Sequence, residues 1–598
     1  MSAADEDTQS GSAPLAKKPC LSEATTVSSP FDVARLNSCS YVGLACRIGD
    51  ASLLTQLLAS GAATDVRDNR GWSPLHEAAY SDHAGCVELL LQRHHDVQGQ
   101  QQQRLDVDCR AHDGSTALLV ACGRGHVATA TLLLRQGADP DLASLDEMRP
   151  VIAAAKAGSL PLVEALAAAG ADLNGRYWNG WSAVHEAVSH GHRQLVWPLV
   201  SSGIDGQDDG RRTPLLPDAV DTDNASAFLV AAQHNQLGCL HELVKATRLL
   251  HGSRLRATVA ELLNLQTTEQ RMTAVYAACQ LGYEYALRFL LESGADPDIC
   301  AFVDEETVHP ATVAASSNYS RCMHWVLVYS RGPEVVSRCD RCPLYEAAER
   351  GSVDCVGLLT EFGLSTERRM PMDRLPASFA YLQPLLSRDF RTALGRAASK
   401  GHQDCVDVLL QRGAQPVYTS ADLSVMSPLI LAVLRRKNPR ILASFLHSAH
   451  PSVLNAFADD SVYPGIPDGI LVAIHPVYSS QLKAMLRHGV QPHLRGWCGC
   501  ASQNGRSLVA ELRAIYMKKE LRQLLETLVG YDQLPRCCDA WRDALGELWE
   551  ERFAPSVPTL AFLCRKRLSE AFPRKVLEQL HAALLIPEEL QRFVSFEL

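Results

Sequence analysis

The sequence predicts an all-α solenoid in which short helix-turn-helix units with β-hairpin loops stack in one long row. Three observations predict it. A motif, loosely [Ser/Thr]-[Pro/Ala]-aliphatic-x-x-Ala-[Ala/Val/Cys], recurs along the chain, and its aliphatic residue falls at positions 42, 75, 118, 151, 184, 228, 275, 311, 344, 394, 429 and 470. Four of the intervals are 33 residues, a period that belongs to stacked-repeat architectures. Downstream of most copies comes Leu-Leu-x-x-Gly-Ala, as in Leu133-Leu134-Arg135-Gln136-Gly137-Ala138 and Leu409-Leu410-Gln411-Arg412-Gly413-Ala414.

Taken in order, residues 1–30 are rich in Ser, Ala and Asp without periodicity, and are expected to be a disordered tail. Residues 31–500 are expected to form the array, about twelve repeats, with those near 228, 311, 429 and 470 degenerate. Its clearest copies are Ser73-Pro74-Leu75-His76-Glu77-Ala78-Ala79, Ser182-Ala183-Val184-His185-Glu186-Ala187-Val188 and Cys342-Pro343-Leu344-Tyr345-Glu346-Ala347-Ala348. Ser or Thr caps the first helix, and Pro in its first turn has no amide to lose. Small Ala residues let paired helices approach. Gly after the Leu-Leu pair ends the second helix in the left-handed region. One such unit cannot bury its own apolar face, so neighbours must stack. The period is broken at 205–222 and 365–388, which read as joints. Residues 501–553 look helical and would cover the open end of the stack.

The period and the motif resemble the ankyrin family across residues 40 to about 495. The tail adds a second resemblance. Thr559 can cap a helix on which Leu560, Cys564 and Leu568 fall four apart, on one face. That spacing is similar to the elongin-binding box of SOCS-box proteins, and the combination resembles the ankyrin repeat and SOCS box family. The resemblance implies a small three-helix SOCS box at 554–598. It also implies a substrate receptor that is not itself an enzyme, bound to elongin C and elongin B and to cullin-5 with its RING subunit. On the family pattern Leu560, Cys564 and Leu568 would enter elongin C. Leu585, Ile586 and Pro587 would form the cullin box, although the family's first Pro is replaced: the stretch reads Leu584-Leu585-Ile586-Pro587. The protein substrate is unidentified. The alternative reading is a passive scaffold whose C-terminal helices only cap the array.

Composition agrees with such a binder. The chain has 598 residues, 46% hydrophobic and 21% charged, with net charge -10, which argues against nucleic acid as a partner. It has no apolar run of 18 residues for a membrane span and no N-terminal basic-then-apolar signal. Lys17-Lys18 is too short for a nuclear signal. Nineteen cysteines lie mostly beside Ala, Val and Leu, as reduced buried hydrophobes would in a cytoplasmic protein.

No constellation for catalysis, cofactor or metal emerges. His76-Glu77 and His185-Glu186 lack the second His of a zinc protease, and they read as structural histidines bonding backbone between units. Cys339-Asp340-Arg341-Cys342 is a lone pair. Cys498-Gly499-Cys500 and Cys537-Cys538 have no His partners at zinc spacing. For the substrate surface, Trp72 and Trp181 sit between the hairpin Gly and the capping Ser. Arg70 and Trp178 lie beside them and could extend an anchor patch. The other reading is that each ring packs on the neighbouring hairpin.

Overall fold

The computed structural model describes residues 39–92, 105–201, 220–250, 258–371, 390–417, 427–434, 438–449, 451–455, 468–475 and 478–492, with isolated positions from Trp497 to Leu528. The expected tail at 1–30, nearly all of the capping region 501–553 and the C-terminal box at 554–598 lie outside the described residues. The chain divides into two compact units, Met1–Thr222 and Asp223–Leu598.

The first unit holds five described helix pairs: α1 (Tyr41–Ile48) with α2 (Ala51–Ala59), α3 (Pro74–Tyr80) with α4 (Ala84–Gln92), α5 (Ala117–Arg124) with α6 (Val127–Arg135), α7 (Pro150–Lys156) with α8 (Leu160–Ala168), and α9 (Ala183–Ser189) with α10 (Arg193–Ser201). First helices pack on first helices in the order α1, α3, α5, α7, α9, and second helices form a parallel row beside them.

The second unit repeats the plan. Its pairs begin with α11 (Ala227–Gln233) and α12 (Leu237–Leu250), followed by an extra turn of helix, α13 (Val259–Leu263), that packs on both. Then come α14 (Ala274–Leu281) with α15 (Glu284–Glu292), α16 (Pro310–Ser316) with α17 (Ser320–Tyr329), the short α18 (Pro333–Val336), and α19 (Pro343–Arg350) with α20 (Val353–Glu361). Three further pairs follow, Ala393–Lys400 with Gln403–Gln411, Pro428–Leu434 with Pro439–Ser448, and Asp468–Ala473 with Ser479–Arg487. Described sheet is confined to two small antiparallel hairpins, Ala301–Val303 with Glu306–Val308 and Met370–Pro371 with Phe390–Arg391. The protein is mostly helical.

Sequence chemistry explains the units. All twelve marker residues, from Val42 to Ile470, are at most 2% exposed, so the stack closes a continuous apolar seam through the first helices of each unit. Thr116 accepts from the Leu119 amide at 3.2 Å and Thr273 from the Tyr276 amide at 3.2 Å, the expected caps. The second helix α6 ends as its Leu-Leu-x-x-Gly-Ala predicts: Gly137 is left-handed, its amide donates to the Leu134 carbonyl, and the Ala138 amide reaches back to Leu133.

Between pairs run tight hairpin turns, here called hairpins two (68–72), three (111–115), four (144–148) and five (177–181), each closed by a backbone bond across its ends. Hairpins two, three and five carry a left-handed Gly, and a Cβ on Gly71 would stand 2.7 Å from the His112 amide nitrogen of the next hairpin.

Of the cysteines described as free, all but Cys39 are buried, in line with reduced small hydrophobes. One pair meets across the sequence: the sulfur of Cys339 lies against that of Cys300, 39 residues away, and not against Cys342. Stacking brings the end of one repeat's loop beside the start of the next, a proximity that sequence spacing does not disclose.

Candidate functional site

The histidines at the motif position are structural. His76 is fully buried. Its Nδ1 accepts from the Ser73 amide at 3.3 Å, and its Nε2–H donates to the Ser115 carbonyl of the next repeat at 3.0 Å. Burial pushes its pKa down, which suits a neutral ring that staples adjacent units. His185 holds Ser182 in the same way, with Nδ1 3.2 Å from the Ser182 amide. Among the described residues no group of three or more His, Cys, Asp or Glu side chains could hold a metal ion. No described helix is long and apolar enough to cross a membrane.

The first unit presents a face built from hairpin turns and first helices, and on it a charged and aromatic ladder runs across three repeats. Glu77 in α3 is buried, its side chain 2% exposed, and accepts from Arg47 of α1 and Arg70 of hairpin two, both at 2.6 Å. Arg70 also pairs with Asp68 at 2.8 Å. A buried carboxylate needs such partners, and here two guanidinium groups supply them while remaining about one-third exposed. The hydrogen bond to Glu77 raises the Arg47 pKa further, so that charge is fixed.

The same Arg70 lies 4.0 Å over the Trp72 ring, which stands 5.4 Å from Tyr80 and stacks at 6.0 Å on His76. Arg124, at the end of α5, covers Tyr80 at 4.0 Å. Guanidinium on aromatic faces is attractive in itself and leaves both partners available to a ligand.

Two of the sequence-selected residues, Arg70 and Trp72, are therefore in direct contact. Trp178 and Trp181 belong to hairpin five, with the turns and helices of two repeats lying between the two groups along the chain. Trp181 stacks on His185 at 5.9 Å, and its indole N–H donates to Asp221 at 3.0 Å, so this ring packs toward the following segment. Trp178 is 68% exposed, braced by Tyr177 at 6.2 Å. Leu560, Cys564, Leu568, Leu585, Ile586 and Pro587 lie outside the described residues.

Sequence reasoning missed Arg47, Glu77 as a hub, Tyr80 and Arg124. A signal existed: Arg47 and Arg124 each lie in the last turn of a first helix, where a side chain meets the neighbouring repeat.

The second unit has its own version of this pattern and a separate groove. Arg396 pairs with Glu349 and lies 5.5 Å over Tyr345 of the preceding repeat. On the second-helix row, a groove of about 640 Å³ is floored by Trp325, Leu358, Gly357 and Val408, with Arg288 stacked 4.7 Å over Trp325.

Deeper in the unit, Asp298 accepts from His309 Nε2 at 3.3 Å, the Ser330 hydroxyl at 2.5 Å and the Arg331 amide at 2.9 Å. Burial alone would raise its pKa; the hydrogen bonds from His309 and Ser330 outweigh it and hold the carboxyl at about 2. This cluster ties one repeat's loop to the next.

Comparison with known families matches this geometry. The family described as Ankyrin repeats (3 copies) matches residues 42–144, 133–209 and 311–420, and the Ankyrin repeat family matches 270–301, together just over half the chain. The chain belongs to the ankyrin-repeat family. It is similar to Ankyrin repeat and SOCS box protein 3 of Bos taurus and of Homo sapiens, 31% identical to each over 189 residues, which are 31% of this chain and 35% of the relative. It is also similar to the B-cell lymphoma 3 protein homolog of Mus musculus, 33% identical over 150 residues, 25% of this chain and 32% of that protein. The chain thus spans about a third of the length of these curated relatives. Its ankyrin repeats supply both halves of the face described above, the hairpin turns and the first helices.

Proposed function

We propose that this chain is the substrate-recognition adaptor of an elongin B/C–cullin-RING ubiquitin ligase, with cullin-5 as the cullin. The ankyrin repeats capture a protein through the hairpin and first-helix face, and a SOCS box at 554–598 delivers it. The single observation that carries this reading is the Thr559, Leu560, Cys564, Leu568 spacing placed after a repeat array. Similarity to two Ankyrin repeat and SOCS box proteins supports it. Arg70, Trp72, Trp178 and Trp181 are the proposed substrate contacts, because Arg and Trp on an exposed face are the residue types that anchor interfaces. Leu585, Ile586 and Pro587 are the proposed cullin contacts. The chain supplies no chemistry in this role; it supplies proximity and orientation for a ubiquitin transfer done elsewhere.

Co-purification of the tagged full chain with co-expressed elongins B and C tests the reading. The expected result is stoichiometric retention that falls at least tenfold when Leu560→Ala and Cys564→Ala are combined. Retention that survives the double substitution, or its absence in the unaltered chain, would leave the tail a cap on a scaffold.

A further inference from the structure

The groove on the second-helix row of the second unit contains a gap that its packing does not require. The second helices α15, α17, α20 and Gln403–Gln411 run in register, with the third and fourth residues of each buried. The fifth residue is Arg288 in α15, His324 in α17 and Asp407 in Gln403–Gln411, but in α20 it is Gly357. Gly357 is not among the left-handed glycines, and an added Cβ would meet nothing within 4 Å. Neither backbone conformation nor crowding therefore calls for glycine, which weakens a helix interior. What it does there is leave space.

The groove around that space holds about 640 Å³. Its floor is apolar: Trp325, Leu358 and Val408 are the sixth residues of three successive second helices, and each is half-buried. Its rim is charged. Arg321 pairs with Glu284 at 3.2 Å and Arg412 with Glu361 at 2.6 Å, so these charges answer one another. Asp354, which also lines the groove, is exposed and has no ion-pair partner among the described residues. An acid in the first turn of α20 suits the helix dipole. This one also stands three residues from Gly357, hence beside it on the helix surface.

The chemistry of the groove selects what can fill it. Its lining comes from helices, whose interior amides and carbonyls are already paired, so an added strand would find no backbone partner. A helix brings its own backbone bonds with it. Three adjacent second helices span roughly 20 Å, which about fourteen residues of helix would cover.

We infer that this groove takes an amphipathic helix of a partner protein, basic beside its apolar stripe, laid across α17, α20 and Gln403–Gln411. The side chain missing at Gly357 lets that helix approach closely. Its large apolar residues, at i, i+4 and i+7, rest on Trp325, Leu358 and Val408. A Lys or Arg at the edge of the stripe meets Asp354, the rim charge left unanswered. The groove is a second recruiting surface, made by second helices and not by hairpin turns, and it stands whether or not the tail binds elongins.

The test is fluorescence anisotropy of the full chain with a labelled fourteen-residue helix, hydrocarbon-stapled on its far face. The peptide carries Leu at i, i+4 and i+7 and Lys beside that stripe. Saturable binding is expected, weakened at least tenfold by Gly357→Gln, which fills the gap with a residue that favours helix. That variant is expected to keep the circular dichroism spectrum and to unfold no earlier on heating. Asp354→Lys is expected to weaken binding of the Lys peptide and to strengthen binding of its Glu counterpart. Four outcomes overturn the proposal: no saturable binding, full binding by Gly357→Gln, equal binding of the Lys and Glu peptides, or equal binding of a peptide with the same residues but no stripe. Dimerisation of the free chain that Gly357→Gln abolishes also overturns it, because the groove would then hold a second copy.

Discussion

At the scale of single residues, Asp298 shows how a buried charge becomes a pH sensor for stability. Its carboxyl titrates near 2 in the folded chain and near its ordinary value of about 4 when unfolded. A depressed folded pKa means that the stabilisation is fully present above about pH 4 and is lost as pH falls toward 2. It amounts to about 2 kcal/mol. Urea unfolding followed between pH 5 and 2 should show that decline for the second unit. Asp298→Asn should be less stable at pH 5 and should flatten the slope; an unchanged slope would count against the cluster. Neither this pair nor the Tyr80–Arg124 contact was legible in the sequence. Tyr80 and Arg124 are 44 residues apart across a Gln-rich insertion, and nothing local records the contact. Trp72 and Arg70 were legible because the motif fixes where they stand.

At the scale of elements, what the sequence disclosed was the helix grammar. Caps, Ala-rich first helices and Gly-terminated second helices are short-range chemistry, and they appear where the motif puts them. Hairpin four was less legible: it lacks the left-handed Gly, and its helix starts after Arg149, which makes no side-chain cap. Two glycines separate backbone demand from helix cost. Gly357 lies inside α20, and an added Cβ would meet nothing within 4 Å. Gly357→Ala should therefore stabilise the second unit by about 0.5–1 kcal/mol. Gly180 is left-handed at φ 80°, and a Cβ there would stand 2.7 Å from the Thr222 amide nitrogen. Gly180→Ala should destabilise the first unit by about 1 kcal/mol or more. Thermal unfolding of the two variants checks the opposite signs, and a shared sign would contradict the account.

At the scale of the whole molecule, a stack of repeats has no single core, so its stability is a sum of local terms between neighbours. The apolar period was visible in the sequence because each repeat must restate it. The tail that would turn a binder into an adaptor occurs once, and rests on a spacing that only a partner would complete.

The buried thiols lend this modularity a readout. Cys46, Cys86, Cys122, Cys239, Cys279, Cys322, Cys355 and Cys405 each lie in a different helix pair. Burial pushes Cys122 and Cys405 to about 12, and Cys322 and Cys355 to about 11, so each is unreactive while its repeat is closed. The chain therefore carries its own set of clocks. A brief pulse of alkylating reagent, read cysteine by cysteine by mass spectrometry, should report the order in which repeats open under mild denaturant. Labelling that proceeds repeat by repeat is the expected pattern; simultaneous labelling of every thiol in a unit would mean that the unit opens as one.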